Sequence, residues 1–405
     1  MSDYSRYLTR ANWLEIDLDA IKHNFLELEK MVGPDVTVMP AIKANAYGHG
    51  IVEVAEALEK CDVKYLATGV LHEAIKLRKN GIKTPIMVFV SNNICEVADL
   101  YIRYNLMASV SSLEQVAALS AAAGASPVNI FIPVETGRGR VGINAEELED
   151  FVKGVLEYKN VRIHGIYSHL SCADWPDKES FSAWQYDRFV KAIKKVEALG
   201  VRVPFLQLAN SNGSISRPEI RMTGICPGQG VWGYWTIEKR EPAPDLQPSI
   251  RAWKSRLLTV KEVSGGKFGE NFAAVKLDKP LRIGVMAGGM YDGISPLQAT
   301  NGGYVLVHGK RVPVASSICV EHSILDLTDC PEARIGDEVV IMGKQGKEEI
   351  TIYDLMKRWK KSEPEFLVSL NYSIPRIYIE DGKAQKIVRM GETEAILDDE
   401  EALTK

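Results

Sequence analysis

The chain predicts an α/β fold, a (β/α)8 TIM-like barrel with a second, mostly β C-terminal domain. Three observations point there. Short β-rich runs alternate with amphipathic helical stretches from Asp35 to about Ile225. A proline-bearing linker, Glu241 to Pro248, follows, in which Pro242, Pro244 and Pro248 cannot continue a helix. Beyond it the runs are short, often β-branched and separated by Gly or Asp turns. With 405 residues, the chain exceeds one ordinary core and has room for both parts.

Eight candidate strands occupy the first part: Val36 to Lys43, Tyr65 to Val70, Pro85 to Val90, Leu106 to Val110, Val128 to Val134, Val161 to His169, Pro204 to Leu208, and Glu219 to Ile225. Ile51 to Lys60, Leu71 to Asn80, Ser112 to Ala123, Ala145 to Tyr158 and Phe181 to Leu199 carry apolar residues at helical spacing, as crossover helices between parallel strands do. An earlier helix, Leu18 to Met31, places Ile21, Phe25, Leu26 and Leu28 on one side and is expected to cover the barrel. In the second part, the strand candidates are Ser255 to Val263, Asn271 to Leu277, Leu281 to Met286, Gly303 to Val307, Lys310 to Val314, Ser323 to Leu327 and Glu338 to Met342. The expected barrel is residues 13–243 and the β domain 244–390, and the acidic end 391–405 reads as a frayed tail.

Composition narrows the function. Hydrophobic content of 46% with 25% charged residues suits a soluble globular protein that needs no metal or disulfide to hold its core. The net charge of −4 is interspersed and no basic run is long enough to track phosphates, which argues against nucleic acid. Six cysteines at long spacings, without a C-x-x-C pair, suggest reduced thiols, and no metal site is implied. Met1 to Asn12 is polar, and no apolar run approaches a bilayer's width, so a cytoplasmic protein without a membrane partner is expected.

The chemistry concentrates at the end of the first strand. Pro40-Ala-Ile-Lys-Ala-Asn-Ala-Tyr-Gly-His-Gly50 sets a single lysine, Lys43, at the carboxyl end of an apolar strand, where barrels place their active sites. A partly desolvated amine there loses affinity for its proton, and a neutral amine can form a Schiff base with an aldehyde. A lysine in such a position is in general more often a solvated edge residue.

Ala41-Ile-Lys-Ala-Asn-Ala-Tyr-Gly-His-Gly50 closely resembles the cofactor-lysine motif of the alanine racemase family. The resemblance extends to Asn12-Trp-Leu-Glu-Ile-Asp-Leu-Asp-Ala-Ile21 and to Ser373-Ile-Pro-Arg-Ile377, nearly the whole chain. It implies pyridoxal 5′-phosphate as cofactor, bound through Lys43. It also implies that residues 1–12 return to join the β domain.

The resemblance implies further site residues. In Glu135-Thr-Gly-Arg-Gly-Arg-Val-Gly142, Arg140 takes the place of the arginine that lies near the cofactor and holds the substrate carboxylate, a role suited to a guanidinium's paired donors. Pro133 stands where some members carry a carbamylated lysine, which excludes that modification here. His169 matches the histidine packed by the pyridine ring. Asn210-Ser-Asn-Gly213 follows the seventh strand, where Ser211 and amides at a helix start, beginning at Asn210, can take up phosphate. Gly224 and Ile225 would add backbone amides, and Tyr47 and Tyr372 match two phosphate-contacting tyrosines. Arg221 corresponds to the arginine that bonds the pyridine nitrogen, although Met222 and Thr223 separate it from the glycine where the family has one residue.

Racemisation needs a base on each face of a planar carbanion, and Lys43 serves only one. The family's second base is a tyrosine supplied by the partner subunit's β domain. Gly289-Met-Tyr-Asp-Gly293 carries Tyr291 one residue later than the family's turn, and on an extended segment such a shift would reverse its side chain. Ile318-Cys-Val-Glu-His322 replaces the family's Cys-Met-Asp, which sets Val320 against the substrate and leaves Glu321 and His322 as readers of a polar substrate or as solvated turn residues. The resulting expectation is a homodimeric racemase interconverting L- and D-alanine or another small amino acid. A racemase of a larger or polar amino acid, a decarboxylase- or aldolase-type homologue, and a cofactor-binding protein without turnover are the alternatives, the last disfavoured by the β domain.

Overall fold

The computed structural model describes residues 7–89, 93–172, 179–235, 243–269, 275–389 and 395–396. The chain divides into two compact units, one of Ala20–Ala46 with Ile51–Pro248, the other of Met1–Asp19, Tyr47–Gly50 and Ser249–Lys405.

The first unit is the barrel. Its strands run in the order Thr37–Val38, Gly224–Ile225, Phe205–Gln207, Val161–Tyr167, Val128–Glu135, Leu106–Ser109, Ile86–Val88 and Leu66–Thr68, each parallel to its neighbour. A parallel bridge from Ala41 to Ala67 joins the two ends of that row, with Ile42 N–H donating to the Ala67 carbonyl at 2.8 Å. Side chains contributed around the ring fill the interior, among them Met39, Ala67, Met87, Met107, Phe131, Phe205 and Cys226, so the barrel is a packed core rather than a pore. Two glycines make this packing feasible. A Cβ on Gly165 would lie 2.2 Å from the Phe131 ring, and one on Gly224 would lie 2.4 Å from the Phe205 ring.

The eight strands fall within the runs the alternation marked, but most are shorter, above all the first, Thr37–Val38 within the expected Val36–Lys43, and the last. Pro218–Ile220 forms a 3-10 turn, favoured by proline at its start, and extended pairing begins at Gly224. The helices include one absent from the sequence reading, Ile94–Arg103, which buries Ile94, Ala98 and Tyr101 at helical spacing and has a backbone break at Val97 (φ −127, ψ 21). In helix Leu18–Val32, Ile21, Phe25 and Leu28 are buried as expected, but Leu26 is 49% exposed, being about 100° around the axis from Phe25. Of the linker, residues 241–242 lie outside the described residues. Gln247 exchanges two hydrogen bonds with Asn24 of that helix, at 2.7 and 2.8 Å.

The second unit is mostly β. Six strands, Ile250–Val263, Leu281–Ala287, His322–Asp326, Lys310–Ile318, Tyr304–Val307 and Glu338–Gln345, pair antiparallel in a closed cycle. The 14-residue first strand makes closure feasible by bonding Leu281–Ala287 along its second half and Glu338–Gln345 along its first. Asn12–Asp17 adds antiparallel to Ile250–Val263 and parallel to Arg376–Glu380. Trp13, Leu14 and Ile16 are buried there, and Asn12 accepts the Trp253 indole N–H at 2.6 Å. The expected run at residues 271–277 is described only as Val275–Leu277. The acidic end lies outside the described residues except for Ala395–Ile396, which pair with Ile387 and Lys386 instead of fraying. Among the described residues no helix is long and apolar enough to cross a membrane.

Candidate active site

Lys43 lies beyond the carboxyl end of the first barrel strand, two residues after the Ala41 bridge, and the chain after it adopts a shape that L-residues avoid. Ala44, Asn45, Ala46 and Tyr47 all have φ between 50 and 54, a left-handed turn without a glycine until Gly48. At about 1–2 kcal/mol per residue, such a turn holds roughly 4–8 kcal/mol of strain that neighbouring bonds must offset. Asn45 supplies two of these bonds. Its side chain accepts from Ile51 N–H at 3.1 Å, and its own N–H donates to the Glu73 carboxylate at 2.7 Å. Farther on, Arg376 donates to the Gly48 carbonyl at 2.7 Å, and a Cβ on Gly48 would meet the Leu367 carbonyl at 2.7 Å. The glycine is therefore required on two counts, its φ of 84 and its close backbone neighbour.

Burial holds the Lys43 amine below its ordinary pKa. Arg140 and Arg138 push in the same direction, while Cys226 and Glu73 oppose it. The amine lies 5.7 Å from the Phe89 ring centroid, and Phe89 packs edge-on against Tyr167. His169, at the end of the sixth strand, has its pKa pushed down to about 3, by burial first and then by Arg138, Arg140 and Lys43. Burial thus disfavours the charged form of both groups, and the two guanidinium groups act in the same direction.

The loop carrying those guanidinium groups is organised by Glu135. Burial alone would raise its carboxyl, but the amides of Arg140, Gly137, Arg138 and Gly139 converge on it and hold its pKa below the usual carboxylate range. Arg140 N–H donates to it at 2.8 Å, and Gly137 N–H donates to its other oxygen. Arg138 is fixed by the Leu170 carbonyl at 2.6 Å, and the Arg140 side chain is exposed at the mouth. Thr136, bonded to Ser168 at 2.9 Å and to Gln185 at 3.3 Å, ties the loop to the strand that ends in His169. Pro133 is buried in the barrel wall.

After the seventh strand, Asn210 caps the short helix Ser211–Ser216 by accepting from Gly213 N–H at 2.8 Å. The buried Ser211 hydroxyl accepts from Gly228 N–H and Gly230 N–H, both at 3.0 Å. Gly224 and Ile225 sit within the barrel wall, paired with Gln207, Thr37 and Val38, so the amides gathered around Ser211 are those of the following Gly-Gln-Gly turn. Arg221 departs from expectation. It precedes its strand, and its guanidinium donates to the carbonyls of Ser214 at 2.8 Å and Met31 at 3.1 Å. The side chain that the eighth strand does bring toward Lys43 is Cys226. Its thiol is pushed up to about 12 by burial, with Lys43 pulling the other way. The scatter of the cysteines concealed it; its signal was its place directly after Ile225.

In the β unit, Tyr291 stands on a 3-10 turn, Met290–Asp292, rather than on a strand. Strand alternation therefore does not govern its direction. Met290 and Tyr291 donate to the Cys319 and Val320 carbonyls at 2.9 and 2.8 Å. A Cβ on Gly289 would meet those same carbonyls at 2.3 and 2.5 Å. The fully buried Asp292 closes the turn on Gly289 N–H at 3.0 Å and pairs with Arg10 at 2.7 Å. Arg10 lies 5.6 Å from the Tyr291 ring centroid and donates to Ser373 at 3.0 Å. Tyr291, Val320 and Tyr372 are exposed, at 40%, 60% and 63%, and Glu321 and His322 are exposed beside them. The barrel unit thus assembles Lys43, Arg140, His169, Asn210 and Ser211, whereas Tyr47, Tyr291, Val320 and Tyr372 belong to the other unit.

A barrel with a half-buried lysine at its mouth, followed by a β unit presenting tyrosines, is the frame of an amino-acid isomerase. Residues 16–235 match the family "Alanine racemase, N-terminal domain", and residues 250–378 match "Alanine racemase, C-terminal domain". The chain is 34% identical over 376 residues to an alanine racemase of Carboxydothermus hydrogenoformans, covering 91% of this chain and 100% of that one. It is 30% identical over 379 residues to one from Halothermothrix orenii, covering 92% and 98%. Among solved structures, an alanine racemase from Bacillus anthracis with bound L-Ala-P superposes with a TM-score of 0.85 at 27% identity, covering 94% of this chain and 98% of that one. The chain belongs to the alanine racemase family.

Proposed function

We propose that the protein interconverts L- and D-alanine with pyridoxal phosphate as cofactor, and that Lys43 and Tyr291 are its two bases. The observation that carries this reading is the Lys43 amine, half-buried at the strand's carboxyl end and shifted toward its neutral form by burial. Neutral amines condense with aldehydes and accept protons, and both are required of it.

The residues present suit the cofactor. Lys43 would hold the aldehyde, and the Ser211 hydroxyl, whose oxygen accepts from the Gly228 and Gly230 amides, would turn its O–H to a phosphate in the loops after strands seven and eight. Asn210 fixes the helix start beside them, and the Gly224–Ile225 segment leads into the turn. Tyr47 and Tyr372 are the further phosphate donors in this reading. His169 is kept neutral, so it can pack on an aromatic ring without bringing a second charge. Arg221 is spent on helix carbonyls and is left out. Pyridoxal phosphate, when bound, draws electrons from the amino acid's α-carbon and makes its proton removable. Arg140 holds the substrate carboxylate, its backbone fixed by Glu135, and Val320 borders the substrate. Lys43 moves the proton on one face. Tyr291, on a turn tied to Arg10 and Asp292, moves it on the other and comes from a second copy of the chain, which makes the protein a homodimer.

Alanine of either hand, incubated with the loaded enzyme in heavy water, tests this. Loss of optical activity with one deuterium entering at the α-carbon is expected. Retention of the α-proton and of configuration would refute it.

A further inference from the structure

We propose that Glu73 is a positioning residue for Lys43: its buried carboxylate holds the left-handed turn that ends the first barrel strand and so aims the amine. The proposal rests on Lys43 being the cofactor lysine. Glu73 lies in the first turn of helix Leu71–Lys79, which follows the second strand, and it is 7% exposed. One carboxylate oxygen accepts from Asn45 N–H at 2.7 Å and the other from Gly69 N–H at 3.3 Å. Those two amides belong to the segments leaving the first and second strands, so a single carboxylate clamps adjacent strand ends across the barrel's closing seam.

The clamp bears directly on Lys43. Asn45 is two residues beyond it, inside the run of positive φ angles, and that run has no glycine to relieve it before Gly48. Gly69 lies against the Lys43 side chain, since a Cβ there would be 3.2 Å from Lys43 Cβ and 3.7 Å from the Glu73 carboxylate. Without the carboxylate, Asn45 N–H loses its acceptor where the backbone is most strained, and the turn can relax toward ordinary φ values, carrying the amine with it. Helix-start acids usually serve only the helix dipole. Here one oxygen holds the Gly69 amide just before its own helix and the other reaches Asn45, 28 residues away.

The carboxylate is also a fixed negative charge beside the amine. The charged or titratable groups acting on Lys43 are Cys226 from the eighth strand, Arg140 and Arg138 from the loop after the fifth, and Glu73 itself. His169 at the sixth strand's end feels Lys43 in turn. Of these, Glu73 is the one that favours the charged amine while bonded to its turn. Replacing it with a neutral isostere lets the amine lose its proton at lower pH.

The test uses full-length protein freed of cofactor and then titrated with pyridoxal phosphate. Covalent attachment at Lys43 is followed by its visible absorbance, as a function of pH and of cofactor concentration. Glu73→Gln is expected to move the pH midpoint of attachment down, because it removes a negative charge that favours the protonated amine, and to weaken binding about tenfold. Glu73→Asp, which keeps the charge but shortens the reach, is expected to keep the midpoint and still lose affinity. Wild-type midpoint and affinity in Glu73→Gln would overturn the proposal. Should that variant fail to fold, wild-type affinity in Glu73→Asp would overturn it equally. If wild-type protein itself attaches no cofactor at Lys43, the reading of Lys43 fails instead.

Discussion

His169 should make the cofactor-free protein sensitive to mild acid. The folded protein keeps this imidazole neutral down to about pH 3, whereas in the unfolded chain it takes up a proton near its ordinary value of 6.5. Above pH 6.5 both states are neutral and the residue makes no pH-dependent contribution. Below it the unfolded state binds the extra proton, so stability falls by about 1.4 kcal/mol per pH unit until the folded-state value is reached. At pH 5 that amounts to about 2 kcal/mol, which screening at the ring's solvent-facing edge trims to about 1–2 kcal/mol. The perturbation is His169→Gln, an amide that stays neutral at every pH. Urea unfolding followed by tryptophan fluorescence, at pH 8 and pH 5, gives the comparison. Wild type is expected to lose about 1–2 kcal/mol more than the variant between the two conditions. Equal losses would show that the imidazole is free to charge in the folded state, and the reading of a neutral ring support would fall.

Other outcomes follow from the same geometry. If Tyr291 acts from a second copy, Lys43→Ala and Tyr291→Phe proteins, each inactive alone, should recover up to about a quarter of wild-type turnover after random reassociation, because half the dimers are mixed and each has one complete site. No recovery in dimers shown by mass to be mixed would place both bases in one chain. Gly165→Ala should destabilise the barrel by about 1–3 kcal/mol, since its methyl would lie 2.2 Å from Phe131. Adding Phe131→Leu should return part of that loss in a double-mutant cycle of unfolding free energies, and strict additivity would mean that the overlap is absent.

The barrel was legible because its strands are short apolar runs at even spacing and its helices carry stripes, both local signals. Helix Ile94–Arg103 was missed although Ile94, Ala98 and Tyr101 stand at helical spacing, in a run of ten residues interrupted by a backbone break at Val97. Lys43 was legible through ten consecutive residues, whose shape is dictated by one strained turn. Arg221 misled because a motif read by letters ignores where a strand starts. Its guanidinium lies ahead of the pairing that begins at Gly224, and Cys226 takes the inward place. Glu73 gave no signal, since Asn45 is distant in sequence, Gly69 is four residues away, and both offer only backbone amides. Tyr291 was legible as a residue but not in its direction, which depends on a 3-10 turn fixed by Gly289, Asp292 and Arg10.

In the proposed reading the chemistry begins at the amine of Lys43, and attachment of cofactor there can be measured directly. Purified protein loaded with pyridoxal phosphate, reduced with borohydride and digested, should yield the cofactor's mass on the peptide containing Lys43 and on no other lysine. Modification elsewhere, or none, would contradict the assignment of this barrel mouth as a pyridoxal-phosphate site.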